Sequence, residues 1–576
     1  MRNTKQMLKK QNNKMIYKIF LVLLFFVLSL LFSLPLMRHG VIYSGDDLSY
    51  HIARLNELFL NYKNGNYFVG ISTFEFSKIG YPVNLFYPWV TLLPFVILRI
   101  FTGKAILSIY LGISFYSFLT LVFTYICTLR LSKNNKLQAF ITAIIYTFCA
   151  YRVIDIFARF ALGEFLSLTF LPLVFYGFFA IMFGKYNDWP YLGLGLSFIM
   201  LSHILSTYIS VCVLIILFMT FFYWIHDKKK RLFALLKSVI LFILSSAIFL
   251  FPFLEQENFQ KFLQPSIDPL HSTELIFSNL ISQSLNNNLN GALSSSGSTY
   301  NIGTILIIAL FVGFFQYRKW EPIYRGTYIL GIILTIFTTN LIPWLALEHS
   351  FLSIIQFPWR FLGISSLMLS VIAGKEVSVI YAESECFRNQ ICIILIICLF
   401  IFVPWFSGIQ NFKLQPEATA IVYRYDNQKL TGPLFLDQYS PKAGQKVLGD
   451  NINHIGIIDQ NMHAYFNVSA KANSLILKNN NMLKAKIVVL PIFNYKNIKI
   501  YNSKNEIEHT TDQYSRILVH NPNSKELKVK YIPSALDFLS IMISIITWIT
   551  CCLIYILRKI KKILIYQRNK SNIFNG

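Results

Sequence analysis

Apolar residues gather in long runs along this chain, and the runs set its architecture. Stretches at 16–37, 105–130, 137–151, 161–183, 189–205, 206–226, 232–253, 301–316, 326–343, 360–382, 390–408 and 534–557 are rich in Leu, Ile, Phe and Val. A crossing helix needs about 20 apolar residues to traverse a hydrocarbon core of roughly 30 Å. The pattern predicts an all-α polytopic membrane protein with about twelve transmembrane helices. Residues 84–101 are apolar as well, but Pro82, Pro88 and Pro94 interrupt them. That predicts a re-entrant or interfacial helix instead of a further crossing. Leu48, Ile52, Leu55 and Phe59 recur at helical spacing, which predicts an amphipathic helix over 45–60 lying on the outer membrane surface.

Late in the chain the period changes. Short alternating runs at 484–491, 498–501 and 527–531 are separated by Asn, Ser, Gly and Lys, the pattern of a small β-rich module. The expected division is a multi-spanning domain over 1–408, with outer loops at 38–104 and 254–300. An extracytoplasmic β-rich module follows over 409–533, then a final transmembrane helix and basic tail over 534–576. The polar stretch 285–297 reads as flexible.

Composition agrees with a membrane chain. Of 576 residues, 55% are hydrophobic and 14% charged, against about 25% charged in a soluble domain. The apolar run at 16–35 has a charged front like a signal peptide. It lacks a small-x-small cleavage site and is followed by further spans, so it reads as a retained helix. The eight cysteines avoid 409–533 and show no zinc or disulfide spacing.

Charge gives the chain a direction. The net charge is +25, and Arg2, Lys5, Lys9, Lys10, Lys14 and Lys18 precede the first span with no acid among them. The tail carries Arg558, Lys559, Lys561, Lys562, Arg568 and Lys570. Beside membrane spans such clusters orient the protein, and nucleic acid is not the expected partner. Basic connectors also lie at 130–136, 185, 227–231, 318–325 and 375–388. With about twelve crossings and a cytoplasmic N-terminus, all of them fall on the cytoplasmic side together with the C-terminus. Residues 38–104, 152–159, 254–300 and 409–533 then lie outside.

Polar residues at the outer boundary are the candidate chemistry. Ser44-Gly45-Asp46-Asp47 follows the first span, and carboxylates next to hydrocarbon are costly. Asp47, His51 and Arg54 share one face of the predicted helix. The acids suit a general base or metal ligand, the imidazole and guanidinium a phosphate. Equally, Ser44 and Asp47 would serve as helix caps and Arg54 would meet lipid phosphates. Arg152, Asp155 and Arg159 share a helical face at spacings of three and four, followed by Glu164. Two arginines beside one acid suit a lipid-linked phosphate, or an interhelical salt bridge. His203 sits at the outer end of its span, where it is a ligand or a hydrogen-bond partner of nearby serines. Arg360, in Gln356-Phe-Pro-Trp-Arg360, is a phosphate contact or an interface anchor.

Taken together, Gly45-x-Asp47-Leu-x-Tyr-His51-x-x-Arg54, Gly80-Tyr-Pro, Phe86-Tyr-Pro, Tyr151-Arg152-x-x-Asp155-x-x-x-Arg159-x-x-x-x-Glu164, Leu-Ser-His203 and Gln356-Phe-Pro-Trp-Arg360 resemble bacterial multi-spanning proteins of the pyruvoyl-tetrahydropterin-synthase-related and YfhO-like type. More distantly, their layout is similar to GT-C glycosyltransferases. The resemblance implies transfer of a sugar from a polyprenyl-phosphate donor to a cell-wall polymer or glycolipid, at the outer face of a bacterial cytoplasmic membrane. By that carry-over Asp46 or Asp47 deprotonates the acceptor hydroxyl or positions a metal, with Mg or Mn as the possible cofactor. Arg54, Arg152, Arg159 or Arg360 neutralises the lipid phosphate, and His51, Asp155, Glu164 and His203 support them. A transporter of lipid-linked sugars and a non-catalytic envelope scaffold are the alternatives.

Overall fold

The computed structural model describes residues 2–43, 45–265, 268–289, 300–415, 423–424, 436–459, 462–503 and 505–574. Among them, eight helices are long and apolar enough to cross a membrane: Met15–Met37, Ala105–Leu131, Leu162–Met182, Ile204–Trp224, Lys228–Phe259, Pro358–Glu383, Phe387–Lys413 and Ala535–Lys561. A ninth is bent by 42° between Lys136–Phe148 and Ala150–Ala158. The other three predicted spans hold shorter helices, Pro190–Met200, Thr304–Gln316 and Pro322–Ile336, of 11, 13 and 15 residues. At a rise of 1.5 Å per residue these reach only about 16–23 Å, short of the roughly 30 Å of hydrocarbon. By length and composition, eight helices, or nine with the bent pair, qualify as spans among the described residues, and the expected count of about twelve is not confirmed.

Contacts collect the basic connectors at one end of the bundle. Arg130 pairs with Asp188 at 2.9 Å and Lys133 with Glu321 at 3.2 Å. Arg231 donates to the carbonyls of Ile181 and Gly184 at 2.5 and 3.3 Å. Lys136 lies 4.3 Å over the Tyr17 ring, so the N-terminal part of the first helix comes to the same end.

The opposite end carries the polar loops. Helix Leu48–Lys63 is amphipathic as expected: Leu48, Ile52, Leu55 and Leu58 pack on the membrane bundle. The proline-interrupted stretch is broken into Val83–Phe86 and Leu93–Thr102. Above them stands the β-rich module. Its strands are β3 (Ile455–Ile458), β4 (Met462–Tyr465), β5 (Asn467–Lys471), β6 (Ser474–Lys478), β7 (Ile487–Phe493), β8 (Ile498–Asn502), β9 (Asn505–Ile507), β10 (His509–Thr511), β11 (Arg516–His520) and β12 (Glu526–Tyr531). They form two five-stranded antiparallel sheets, ordered β10-β11-β7-β3-β4 and β5-β6-β12-β8-β9. In β12, Leu527, Val529 and Tyr531 are buried while Lys528 and Lys530 are only half-buried, the period-2 alternation of a one-sided strand. The strands at 487–493, 498–502 and 526–531 fall on the three alternating runs.

The module shares its core with the first outer loop. Ile71, Phe76, Tyr81 and Phe86 lie in one buried cluster with Leu475, Leu490, Ile500 and Val529. A further strand pair joins β1 (Val41–Ile42) to β2 (Tyr423–Arg424). The most constrained link is Glu57. Its buried carboxylate accepts the backbone N–H groups of Thr73, Phe74 and Glu75 at 2.8, 2.9 and 2.9 Å, and the Asn61 amide at 2.7 Å. The same turn reaches the module: Thr73 Oγ1 donates to the Lys471 carbonyl at 2.9 Å, and Asn61 Oδ1 accepts from Asn473 N at 3.1 Å.

Glu57→Ala strips three backbone donors of their acceptor. At about 1–3 kcal/mol per buried unsatisfied group, the loss is on the order of 3 kcal/mol or more. Thermal unfolding in detergent with limited proteolysis of the 64–80 segment checks this; an unchanged melting curve and cleavage pattern contradicts it.

Candidate functional site

Gly45 lets the acidic turn lie against the broken span. The Asp47 backbone N–H donates to the Arg159 carbonyl at 2.9 Å. A Cβ at Gly45 would stand 3.0 Å from Ala158 O and from Arg159 C and O. A side chain at this position requires the Ala158–Arg159 backbone to give by a few tenths of an ångström. Asp47 occupies the N-cap position of Leu48–Lys63 but makes no side-chain capping bond, so its carboxylate is not spent on the helix. Ser44, the other expected cap, lies outside the described residues. Asp46 is exposed and Asp47 half-buried.

The partner segment departs from the expected continuous helix. Ala150–Val153 runs into a π-helical turn, Ile154–Ala158. An extra residue per turn breaks the three-and-four spacing, so Arg152, Asp155 and Arg159 do not share one face. Arg159 Nη1 binds Asp155 Oδ1 at 2.8 Å and Glu164 Oε2 at 3.1 Å. Arg360 Nε meets the same Glu164 Oε2 at 3.3 Å, and its Nη1 donates to Gln356 Oε1 and the Ile355 carbonyl, both at 2.8 Å. Tyr151 donates to Glu164 Oε1 at 2.5 Å. The salt-bridge reading of Arg159 is thus realised. Arg360 and Trp359 are buried and are not interface anchors. Arg152 is corrected: its guanidinium is fully buried, makes no ion pair among the described residues, interacts with Tyr146, and lies 4.7 and 5.5 Å from the Phe165 and Tyr146 rings. It backs the site and does not join the Arg159 network.

A second wall comes from the amphipathic helix. Arg54 is fully buried and does not meet lipid phosphates. It donates to the Pro88 and Tyr87 carbonyls at 2.6 and 3.3 Å and lies 4.0 Å over the Tyr87 ring. The Tyr87 ring is 5.9 Å from both the His51 and the His203 rings. His203 caps its own helix, Ile204–Phe221, by accepting Ser206 N at Nδ1. Asp46, Asp47, His51, Asp155, Arg159, Glu164, His203 and Arg360 therefore converge, with Arg54 behind His51.

Three organising residues escaped the sequence reading. Tyr87 stands in the Phe86-Tyr-Pro motif, where the sequence gives it no individual role. Tyr300 lies 5.6 Å from the Arg159 guanidinium and stacks on Trp359 at 4.3 Å. Gly163 leaves room for Tyr87 Oη, which a Cβ there would meet at 2.3 Å. No one-dimensional spacing links Tyr87, Gly163 and Tyr300.

Electrostatics distinguish the two acids. Desolvation in the crowded mouth pushes Asp46 up to about 6, with Arg159 pulling down and Asp47 pushing up. Desolvation also raises Asp47, opposed by Arg159 and Arg360 and reinforced by Glu164. Burial against positive charge (Arg54 and the arginines near it) keeps both histidines neutral: His51 is well below the usual imidazole value and His203 falls to about 3.

Asp46 and Asp47 are the acids that would hold a divalent Mg or Mn ion together with a substrate phosphate, since such an ion needs only one or two carboxylates. Among the described residues no three His, Cys, Asp or Glu side chains converge as metal ligands. Asp155 and Glu164 are already held by Arg159, and Asp46 and Asp47 face the same cation.

No protein-family model and no curated protein matches the chain, and the YfhO-like and pterin-synthase-related resemblance finds no support there. Among solved structures, the arabinofuranosyltransferase AftD from mycobacteria aligns at 11% identity and a TM-score of 0.45, over 69% of this chain. This chain spans about a quarter of that protein, 27% of its length.

Gly45→Ala forces the acidic turn off the Arg159 backbone, at a cost of about 1–3 kcal/mol. Gly326→Ala, in the helix Pro322–Ile336 with nothing within 4 Å of the new methyl, is the control and holds or gains up to about 1 kcal/mol. Thermal unfolding of the two variants side by side checks the pair; equal melting temperatures refute it.

Proposed function

We propose that the protein is a GT-C-like membrane glycosyltransferase, which moves a sugar from a polyprenyl-phosphate donor to a cell-envelope acceptor. The observation that carries this reading is the acidic pair Asp46–Asp47 set against the buried Arg159–Glu164–Arg360 network, with Arg159 acting on both acids and Arg360 on Asp47. In the proposed step, Asp46 takes the proton of the acceptor hydroxyl. The acceptor oxygen bonds to the anomeric carbon. The bond from that carbon to the phosphate oxygen breaks, and its electron pair stays on the phosphate. Arg159 and Arg360 balance the charge that develops there.

Asp46 suits the base because it reaches solvent and its carboxyl titrates near 6, where a base is both available and strong enough at neutral pH. Desolvation holds it there, with Arg159 opposing and like-charge repulsion from Asp47 adding to it. The sidedness follows from charge. The connectors with Arg130, Lys133 and Arg231 gather at one end, which the positive-inside rule assigns to the cytoplasm. On that rule the site and the module face outward, and the donor lipid enters from the membrane below them.

The test is envelope glycan composition in a strain lacking the protein, complemented with wild type or Asp46→Asn. One sugar substituent disappears on deletion, and only wild type restores it. Full rescue by Asp46→Asn, or an unchanged glycan on deletion, defeats the reading; the second outcome favours a transporter or scaffold. In purified protein, Asp46→Asn lowers turnover about 10²–10⁴-fold.

A base must be deprotonated to act. Wild-type turnover therefore rises with pH through about 6, the value to which Asp46 is pushed, and Asp46→Asn loses that limb. A rate–pH profile flat between pH 5 and 7 contradicts the assignment.

A further inference from the structure

His51 and His203 are neutral, and their hydrogen bonds decide where each proton sits. His51 is 2% exposed and His203 7%. His51 Nδ1 stands 3.5 Å from Arg54 Nη1. A guanidinium N–H only donates, so this ring nitrogen accepts. His203 Nδ1 receives the backbone N–H of Ser206 at 3.3 Å and meets Ser206 Oγ at 2.8 Å. A backbone N–H likewise only donates. In both rings the proton is therefore on Nε2, and neither Nε2 is sealed among the buried atoms that lack a partner. The groups acting on His51 are Arg54, His203 and Arg159; those acting on His203 are Arg360, Glu164, Arg159 and Arg54. Positive charge outweighs negative around both.

A neutral N–H beside several guanidiniums complements an anion that accepts hydrogen bonds, and a phosphate does this with several oxygens. Resting on the transferase reading above, we propose that His51 and His203 are paired Nε2–H donors to the phosphate of the polyprenyl-phosphate substrate and leaving group, and that neither transfers a proton. The arginines supply charge and the imidazoles supply direction, since each ring is fixed at Nδ1 and has one donor left. Desolvation, the largest cause for both rings, keeps them unprotonated through the working pH range.

The test uses full-length protein in lipid nanodiscs and a polyprenyl monophosphate as probe, with inorganic phosphate as the headgroup-only control. His203→Asn places an acceptor where Nδ1 was, so the helix cap survives, but has nothing at the Nε2 position. His203→Gln puts an amide N–H near that position. His51→Asn and His51→Gln form the matching pair. Each Asn variant weakens polyprenyl-phosphate binding about 10–100-fold, the worth of a hydrogen bond to a charged group, while each Gln variant stays within about threefold of wild type. The rate–pH profile keeps its limb near 6 in every variant, since Asp46 supplies it. Folded Asn variants that bind like wild type overturn the assignment, as does loss of a pH limb in either. Wild type that binds no polyprenyl phosphate overturns the transferase reading and this proposal with it. Tight binding of inorganic phosphate alone also overturns the proposal, as it assigns the pair to a free anion.

Discussion

Burying opposite charges together at the membrane boundary is the constraint on which the rest of this structure depends. Arg159 is the hinge of it. Its guanidinium holds Asp155 and Glu164, while its backbone carbonyl receives the Asp47 N–H. An isolated buried charge costs several kcal/mol, and a pair is tolerated only when its remaining donors and acceptors are satisfied. The Tyr151 hydroxyl on Glu164 and the sharing of Glu164 with Arg360 serve that satisfaction, while Arg159 Nε and Asp155 Oδ2 stay buried without a hydrogen-bond partner. The acidic turn and the helix starting at Leu48 are positioned as a by-product.

This arrangement separates two tasks that sequence spacing merges. The acids of the membrane helices are spent on arginines and fix geometry. The acids of the outer turn are left with their carboxylates uncommitted, and solvent reaches Asp46. The imidazoles form a third group, fixed at one nitrogen and open at the other. A site with spent and unspent charges side by side can hold an anion without losing its own base.

The sequence was legible where a single hydrophobic period governed. The spans from 105, 204, 360, 390 and 534, the helix over 45–60 and the strands near 487, 498 and 527 follow their hydrophobic patterns closely. Eight site residues picked from boundary positions also converge, because polar groups next to hydrocarbon have few other places to go. The pattern misled where backbone geometry changes without a compositional sign. The π-turn after Val153 sends Arg152 away from Arg159, and three apolar runs hold helices too short to span the hydrocarbon. Tyr87, Gly163 and Tyr300 were missed because their roles exist only across chain segments. Glu57 carries no signal in the sequence pattern, yet it ties its helix to a turn in the loop that follows.

The bond between Thr73 and the Lys471 carbonyl joins residues 398 apart in the chain. At roughly 5–20 residues per second of synthesis, the outer loop emerges about 20–80 seconds before the strand that completes its core. During that interval Ile71, Phe76 and Tyr81 lack their cover, and the turn bearing Asp46 stands beside an unfinished neighbour. Synthesis of this protein thus includes an interval in which the apolar face of the first loop has no cover. The core that loop and module share closes only when almost the whole polypeptide has left the ribosome.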